Sequence, residues 1–242
     1  MRNITRLRDA REVAATAVDR AIQILSDAIS THGSASWILA GGTSPMLAYE
    51  ILHEHSDEID WSRVTIGIGD ERMVPFDDTD SNWGTILEVL QRDARLRNMQ
   101  TLVPPVGLSP DVAASAYGSQ LLELPHDSFG HPRLDLVWIG MGEDGHTLSL
   151  FPGHKSSEPT DKLVIPVYDS PKVPPTRITL TRAALLGARN LTVFCTGASK
   201  SHALQSVLSG AQLPVATITD SVAEAGGRVE WLLDDDAYSE EL

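Results

Sequence analysis

The sequence predicts an α/β protein built on an open, mostly parallel, Rossmann-like sheet with helices on both faces. Three observations predict it. Short apolar runs alternate with amphipathic segments along the chain. Several of those runs end in glycine, Ser or Thr followed by a helix start. One run, 134-LDLVWIGMG-142, is almost continuously apolar, as expected of a strand covered on both sides.

Taken in order, Asp9 to Ile29 reads as a helix, with Ala14, Val18, Ala21, Ile22, Leu25 and Ile29 on one face. The run 36-SWILAGG-42 reads as a strand. In 44-SPMLAYEIL-52, Ser44 suits an N-cap and Pro45 the first helical position. The run 63-RVTIGIGDE-71 reads as a single strand, and Ser81 or Asn82 can cap a helix carrying Trp83, Ile86, Leu87 and Leu90. Ser109-Pro110 opens another helix, with Ala113, Tyr117 and Leu121 in register. Further strands are expected at 176-TRITLT-181, 190-NLTVFCTG-197 and 228-RVEWLL-233. Ser199 can cap a helix bearing Ala203, Leu204, Val207 and Leu208. Residues 153–175 show no clear element, and 234–242 read as an acidic tail. A single α/β domain over 1–242 is the simplest division, since this length suffices for one well-buried core.

Composition narrows the functions. The net charge is −14, which argues against a nucleic-acid partner, since that needs a basic face. An anionic small molecule remains possible if cations and helix N-termini gather locally. The one cysteine, Cys195, lies in an apolar run and reads as a small buried hydrophobe. No stretch approaches the ~20 apolar residues of a membrane span. The N-terminus lacks the apolar core of a secretory signal. A cytoplasmic protein is expected, as a monomer or small homo-oligomer.

In this architecture ligands bind beyond the carboxyl ends of strands, and three candidate loops fall there. The first, 41-GGTSP-45, offers Gly41, Gly42, Thr43 and Ser44 at a helix N-terminus, an arrangement that suits an anion or a plain capped turn. The second contains Asp70, Glu71 and Arg72. Arginine there can meet a phosphate or a developing oxyanion, or join a local ion-pair cluster. Asp78, Asp80 and Asn82 superficially suggest a calcium loop, but Trp83 occupies the place of its required glycine. The third, 140-GMGEDGHTLSLFPG-153, matches a dinucleotide fingerprint in its glycines. That fingerprint must open a helix, and Pro152-Gly153 leaves room for about two turns at most. The better reading has Gly142 and Gly145 shaping a turn that presents Asp144 and His146. A histidine beside a carboxylate is a natural general base. Arg177 and Lys200 complete the candidates; a lysine at a helix start opposes the macrodipole unless a ligand uses it.

Together, AGGTSP, GDERMVPFDDTDSN, DLVWIGMGEDGHTLSLFPG, RITLT and GASK resemble the glucosamine-6-phosphate isomerase/6-phosphogluconolactonase superfamily, and within it the lactonases. The matching segments run from residue 40 to 200. Thr43-Ser44 reverses the common Ser-Thr order, and Leu148 stands where alanine is usual. The resemblance implies hydrolysis of 6-phospho-D-glucono-1,5-lactone with no metal or organic cofactor. It implies His146 as the base, with Asp70 and Asp144 as polar partners. Arg72 would serve the substrate or oxyanion, and Arg177, Lys200 and the 41–44 turn would grip the phosphate. The isomerase-deaminases of the superfamily typically carry a catalytic glutamate five residues after the histidine; here that residue is Phe151. A sugar-phosphate sensor would need an appended DNA-binding element, and none is read before 36 or after 228.

Overall fold

A computed structural model describes residues 2–238 of the chain. In chain order its strands and helices are β1 Asn3–Leu7, α1 Ala10–His32, β2 Ala35–Leu39, α2 Thr43–Leu52, β3 Val64–Ile68, β4 Asp70–Arg72, α3 Asn82–Leu90, β5 Gln100–Thr101, α4 Pro110–Leu121, β6 Leu136–Gly140, β7 Val164–Val167, β8 Arg177–Leu180, α5 Arg182–Leu185, β9 Asn190–Cys195, α6 Ser201–Leu208, α7 Pro214–Glu224 and β10 Arg228–Asp234. Seven strands form one sheet in the order β1-β10-β9-β6-β2-β3-β5, and every pairing within it is parallel. All five residues of β2 are buried, so both faces of the sheet are covered there.

The chain reverses its direction of sheet growth at the centre. From β2 it adds β3 and β5 on one side; from β6 it adds β9 and β10 on the other. The loops after β2 and β6 therefore separate at a topological switch point, where this class of sheet opens a crevice. Trp37 on β2 and Trp138 on β6 meet edge to face at 4.7 Å directly beneath it. Trp138 also contacts Tyr49 at 5.4 Å and Phe194 at 5.0 Å.

Two buried tyrosines fasten the strand ends that face this crevice. The Tyr49 hydroxyl donates to the Ala40 carbonyl and accepts from the Ala40 N–H, both at 3.0 Å. Tyr117 does the same at Ile68, accepting from its N–H at 2.6 Å and donating to its carbonyl at 3.0 Å. Burial pushes both phenols well above their usual range, so they remain neutral donors.

Several expectations need correction. The run 63–71 is not one strand. It breaks at Gly69, and β4 crosses into a separate antiparallel sheet ordered β4-β8-β7. The strand expected at 176–181 belongs to that small sheet, and 153–175 contains its third strand. Ser44 does not cap α2: Gly42 is the cap residue, and the Ser44 hydroxyl bonds the Thr196 hydroxyl instead. Pro45 accordingly sits third in the helix. Ser199 does not cap α6, because Ala198–Lys200 form a 3-10 turn that leads into it. Asp234 belongs to the last strand rather than to the acidic tail. It ends β10 at 4 % exposure, and its carboxylate accepts from the N–H groups of Gly197 and Ala237. The remainder of the expected tail, 239–242, lies outside the described residues. No helix among the described residues is long and apolar enough to cross a membrane.

Replacing Tyr49 by Phe leaves a buried N–H and a buried carbonyl unpaired at Ala40. It should destabilise the fold by about 1–3 kcal/mol in urea denaturation. A loss below about 0.5 kcal/mol would show that the strand end does not depend on this hydroxyl.

Candidate active site

The crevice is an open cleft of about 670 Å³, within the usual size of a small-molecule site. Gly41, Gly42, Thr43, Ser44, Asp70, Arg72, His146, Arg177 and Lys200 all line it. Asp144 stands behind His146. Nine of the ten residues singled out from sequence thus line one cleft, although they span 160 positions (41 to 200), and the tenth, Asp144, is hydrogen-bonded to His146.

Each wall follows from local chemistry. At the end of β2 the chain must pass Asn82 closely: a Cβ on Gly41 would lie 2.1 Å from the Asn82 side-chain oxygen. Gly42 then takes φ +101, a conformation that side chains other than glycine rarely adopt, and turns the chain into α2. The first-turn N–H groups of α2 are therefore presented at the cleft rim, where the helix dipole favours an anion.

The opposite wall begins where β3 breaks into β4. Glu71 is fully buried, and its carboxylate collects the N–H groups of Arg72, Asn82 and Trp83 at 2.6–2.9 Å and the Ser81 hydroxyl at 3.1 Å. Burial pushes its carboxyl upward, against the pull of the three N–H donors. Glu71 points away from the cleft and joins β4 to the N-terminus of α3. Its neighbours Asp70 and Arg72 point the other way, as strand alternation requires. Asp70 accepts from the Ser149 hydroxyl at 2.6 Å and lies 3.8 Å from the Arg177 guanidinium. Arg72 donates to the Asp80 carbonyl at 2.6 Å.

Arg177 is 3 % exposed, and most of its donors are used. They reach the carbonyls of Lys172, Val173 and Pro174, which fastens that loop, while Nη1 turns to Ser149 and Asp70. Lys200 enters from the loop after β9. Asp234 holds the Gly197 N–H at the start of that loop.

The third loop forms a closed turn rather than a helix. Gly142 donates to the His146 carbonyl at 2.8 Å and Gly145 to the Gly142 carbonyl at 3.0 Å. The imidazole packs on the bare Cα of Gly142, where a Cβ would lie 2.0 Å from Nδ1. Nδ1 is 2.5 Å from Asp144 Oδ1, which also accepts from the His146 backbone N–H. Partial burial raises the Asp144 carboxyl, but these hydrogen bonds outweigh it and hold the group below the usual range. An ionised Asp144 fixes the tautomer with the proton on Nδ1. Nε2, the other ring nitrogen, has no protein partner among the described residues. The Phe151 ring lies 4.8 Å from the imidazole and is itself 1 % exposed. Cys195, just below the cleft, is no rival nucleophile, because burial pushes its thiol up to about 12.

Sequence reasoning did not assign roles at the cleft to Ser149, Asn82 or Thr196. Ser149 lay within the third motif and could have been considered. The other two reach the cleft only through tertiary packing. Gly142→Ala should drive the imidazole off Asp144 while leaving the fold intact. The change is expected in the Nδ1 signal of the histidine NMR spectrum; an unchanged signal would contradict the packing described.

A model of the glucosamine-6-phosphate isomerase/6-phosphogluconolactonase family matches residues 8–231. A 6-phosphogluconolactonase of Streptomyces coelicolor is 36 % identical over 96 % of this chain and 92 % of its own length. One from Mycobacterium tuberculosis is 33 % identical over 95 % of this chain and 94 % of its own. Among solved structures, the 6-phosphogluconolactonase of Trypanosoma brucei superposes with a TM-score of 0.81 at 30 % identity, covering 98 % and 97 % of the two chains. A monomeric glucosamine-6-phosphate deaminase, at 19 % identity and a TM-score of 0.75, shares the fold.

Proposed function

The chain belongs to the glucosamine-6-phosphate isomerase/6-phosphogluconolactonase family, and from that premise we propose that His146 is the general base of a lactone hydrolase. The reaction is hydrolysis of 6-phospho-D-glucono-1,5-lactone to 6-phospho-D-gluconate, the second step of the oxidative pentose phosphate pathway. One observation carries the assignment to His146: its Nδ1 is taken by Asp144, leaving Nε2 without a protein partner at the cleft. The imidazole is thereby oriented as a base.

In this mechanism Nε2 takes a proton as water attacks C1. Charge collects on the carbonyl oxygen, where Arg72 or a backbone donor can meet it. The C1–ring oxygen bond then breaks, and the imidazolium returns its proton to that oxygen. Asp144 stabilises the imidazolium between the two steps. Asp70, tied to Ser149 and facing Arg177, orients substrate hydroxyls. Lys200, Arg177 and the first turn of α2 hold the phosphate. These cations work against a net charge of −14, so their concentration in the cleft steers an anion there rather than elsewhere.

An aldose–ketose isomerase of the same family needs a second proton-transfer group near the histidine. Phe151 fills the position five residues on, and its ring packs against the imidazole.

His146→Ala should lower kcat roughly 10²–10⁴-fold, with KM changed only a few-fold, after the spontaneous opening of the lactone is subtracted. Near-parental turnover would sink the assignment. The parent should release no ammonia from glucosamine 6-phosphate. Lys200→Ala should raise KM for the phosphorylated lactone roughly ten- to hundredfold, the usual worth of a charged hydrogen bond. An unchanged preference for phosphorylated over unphosphorylated lactone would remove Lys200 from the phosphate site.

A further inference from the structure

Leu148 is the only non-glycine residue with a positive φ, 55°, among the described residues. It is the second residue of the turn Thr147–Leu150, which backbone hydrogen bonds close from both ends: Thr147 N–H to Leu150 O at 3.3 Å and Leu150 N–H to Thr147 O at 2.9 Å. A positive φ at that position is normally supplied by glycine. A leucine holds it only when its surroundings over-determine it. Glycine would form the same turn without strain, so the backbone alone gives no reason for a side chain here.

The side chain has a specific neighbour. Leu148 is 9 % exposed and lines the cleft, and its Cδ2 lies over Gly69 so closely that a Cβ there would be 2.5 Å away. Gly69 is the break between β3 and β4, where the chain leaves the large sheet for the small one. Its N–H bonds Leu39 O at 3.0 Å, and its carbonyl accepts from Leu180 N–H at 2.8 Å. The residue after Gly69 is Asp70. The residue after Leu148 is Ser149, which donates to Asp70; two residues before Leu148 is His146. The Leu148–Gly69 contact therefore joins the segment that carries the base to the segment that carries Asp70 and Arg72.

We propose that Leu148 is a positioning residue: its side chain, seated on Gly69, sets the separation of His146 from Asp70 and Arg72 across the cleft. The proposal rests on the lactonase reading above. The Leu148 side chain has no polar atom to offer a proton or a phosphate. It acts through the relative placement of two chain segments, so it should govern kcat and leave anchoring of the phosphate largely alone.

The test is a size-compensation cycle on the intact protein, with the phosphogluconolactone as substrate. Leu148→Ala and Leu148→Gly should each lower kcat about tenfold or more while KM moves less than about threefold. Leu148→Met, which refills the space, should keep kcat within about threefold of the parent. Gly69→Ala should also lower kcat, because its methyl meets Leu148. The double variant Gly69→Ala/Leu148→Ala should recover much of the loss, since the new methyl occupies the vacated space. Rescue, with circular dichroism showing folded protein throughout, supports positioning. Strictly additive losses, or single variants within twofold of the parent, overturn it. If one single variant fails to fold, the double variant against the other decides: recovery supports the proposal, and a further loss overturns it. A parent that turns over lactone alongside unaffected variants defeats this inference alone. A parent without turnover defeats the lactonase reading, and this inference with it.

Discussion

Two pairings hold the middle of the sheet, Trp37 with Leu136 and Ile38 with Val137, and beyond them β2 and β6 part. Everything functional depends on that parting. Because the chain adds strands outward on both sides of this pair, the two loops that follow must lead away from each other. The space between them cannot be filled by either. The Trp37–Trp138 contact packs β2 against β6, while the Tyr49 hydroxyl fastens α2 to the end of β2 at Ala40. The cleft is thus a consequence of strand order, and its chemistry is supplied by whatever residues occupy the first few positions past each strand.

Those positions are not equally free. Gly41 and Gly142 are both places where another atom occupies the volume of a Cβ, an Asn82 amide oxygen in one case and the His146 ring in the other. Glu71 binds the start of α3 and thereby fixes the alternation that turns Asp70 and Arg72 inward. Arg177 spends three carbonyl contacts on its neighbouring loop before it meets Asp70. Its buried charge is tolerated because those carbonyls and the Asp70 carboxylate replace water. In each case the packing of one residue determines where another residue at the cleft can stand.

Much of this was legible in the sequence, for identifiable reasons. Buried parallel strands are apolar on both faces, so β2, β3, β6 and β9 stand out as continuous runs. The edge strand β1, NITRL, was missed because none of its residues is fully buried and polar residues interrupt it. Helix α7, PVATITDSVAE, is rich in β-branched residues and gives a weak helical signal. The small antiparallel sheet was not foreseen, since which strand pairs with which is not a local property. At the cleft, the glycine-flanked histidine and the strand-end cations could be read from type and position. Asn82 and Thr196 could not, because their significance lies in the partners that folding brings to them. Asp234 was grouped with the acidic tail because nothing local in a run of aspartates shows that one of them ends a strand and holds the Gly197 and Ala237 N–H groups.

That aspartate ties the cleft to the order in which the chain is made. β10 lies between β1 and β9, so the earliest strand finds its neighbour only after residue 228 has been synthesised. The loop that carries Lys200 receives its anchoring carboxylate only when residue 234 emerges. During translation the turn at 142–146 can close long before the cleft it borders is complete. A ribosome-bound chain short of these residues would present His146 without the finished cleft, and the loop that carries Lys200 would gain its anchor only once residue 234 has emerged.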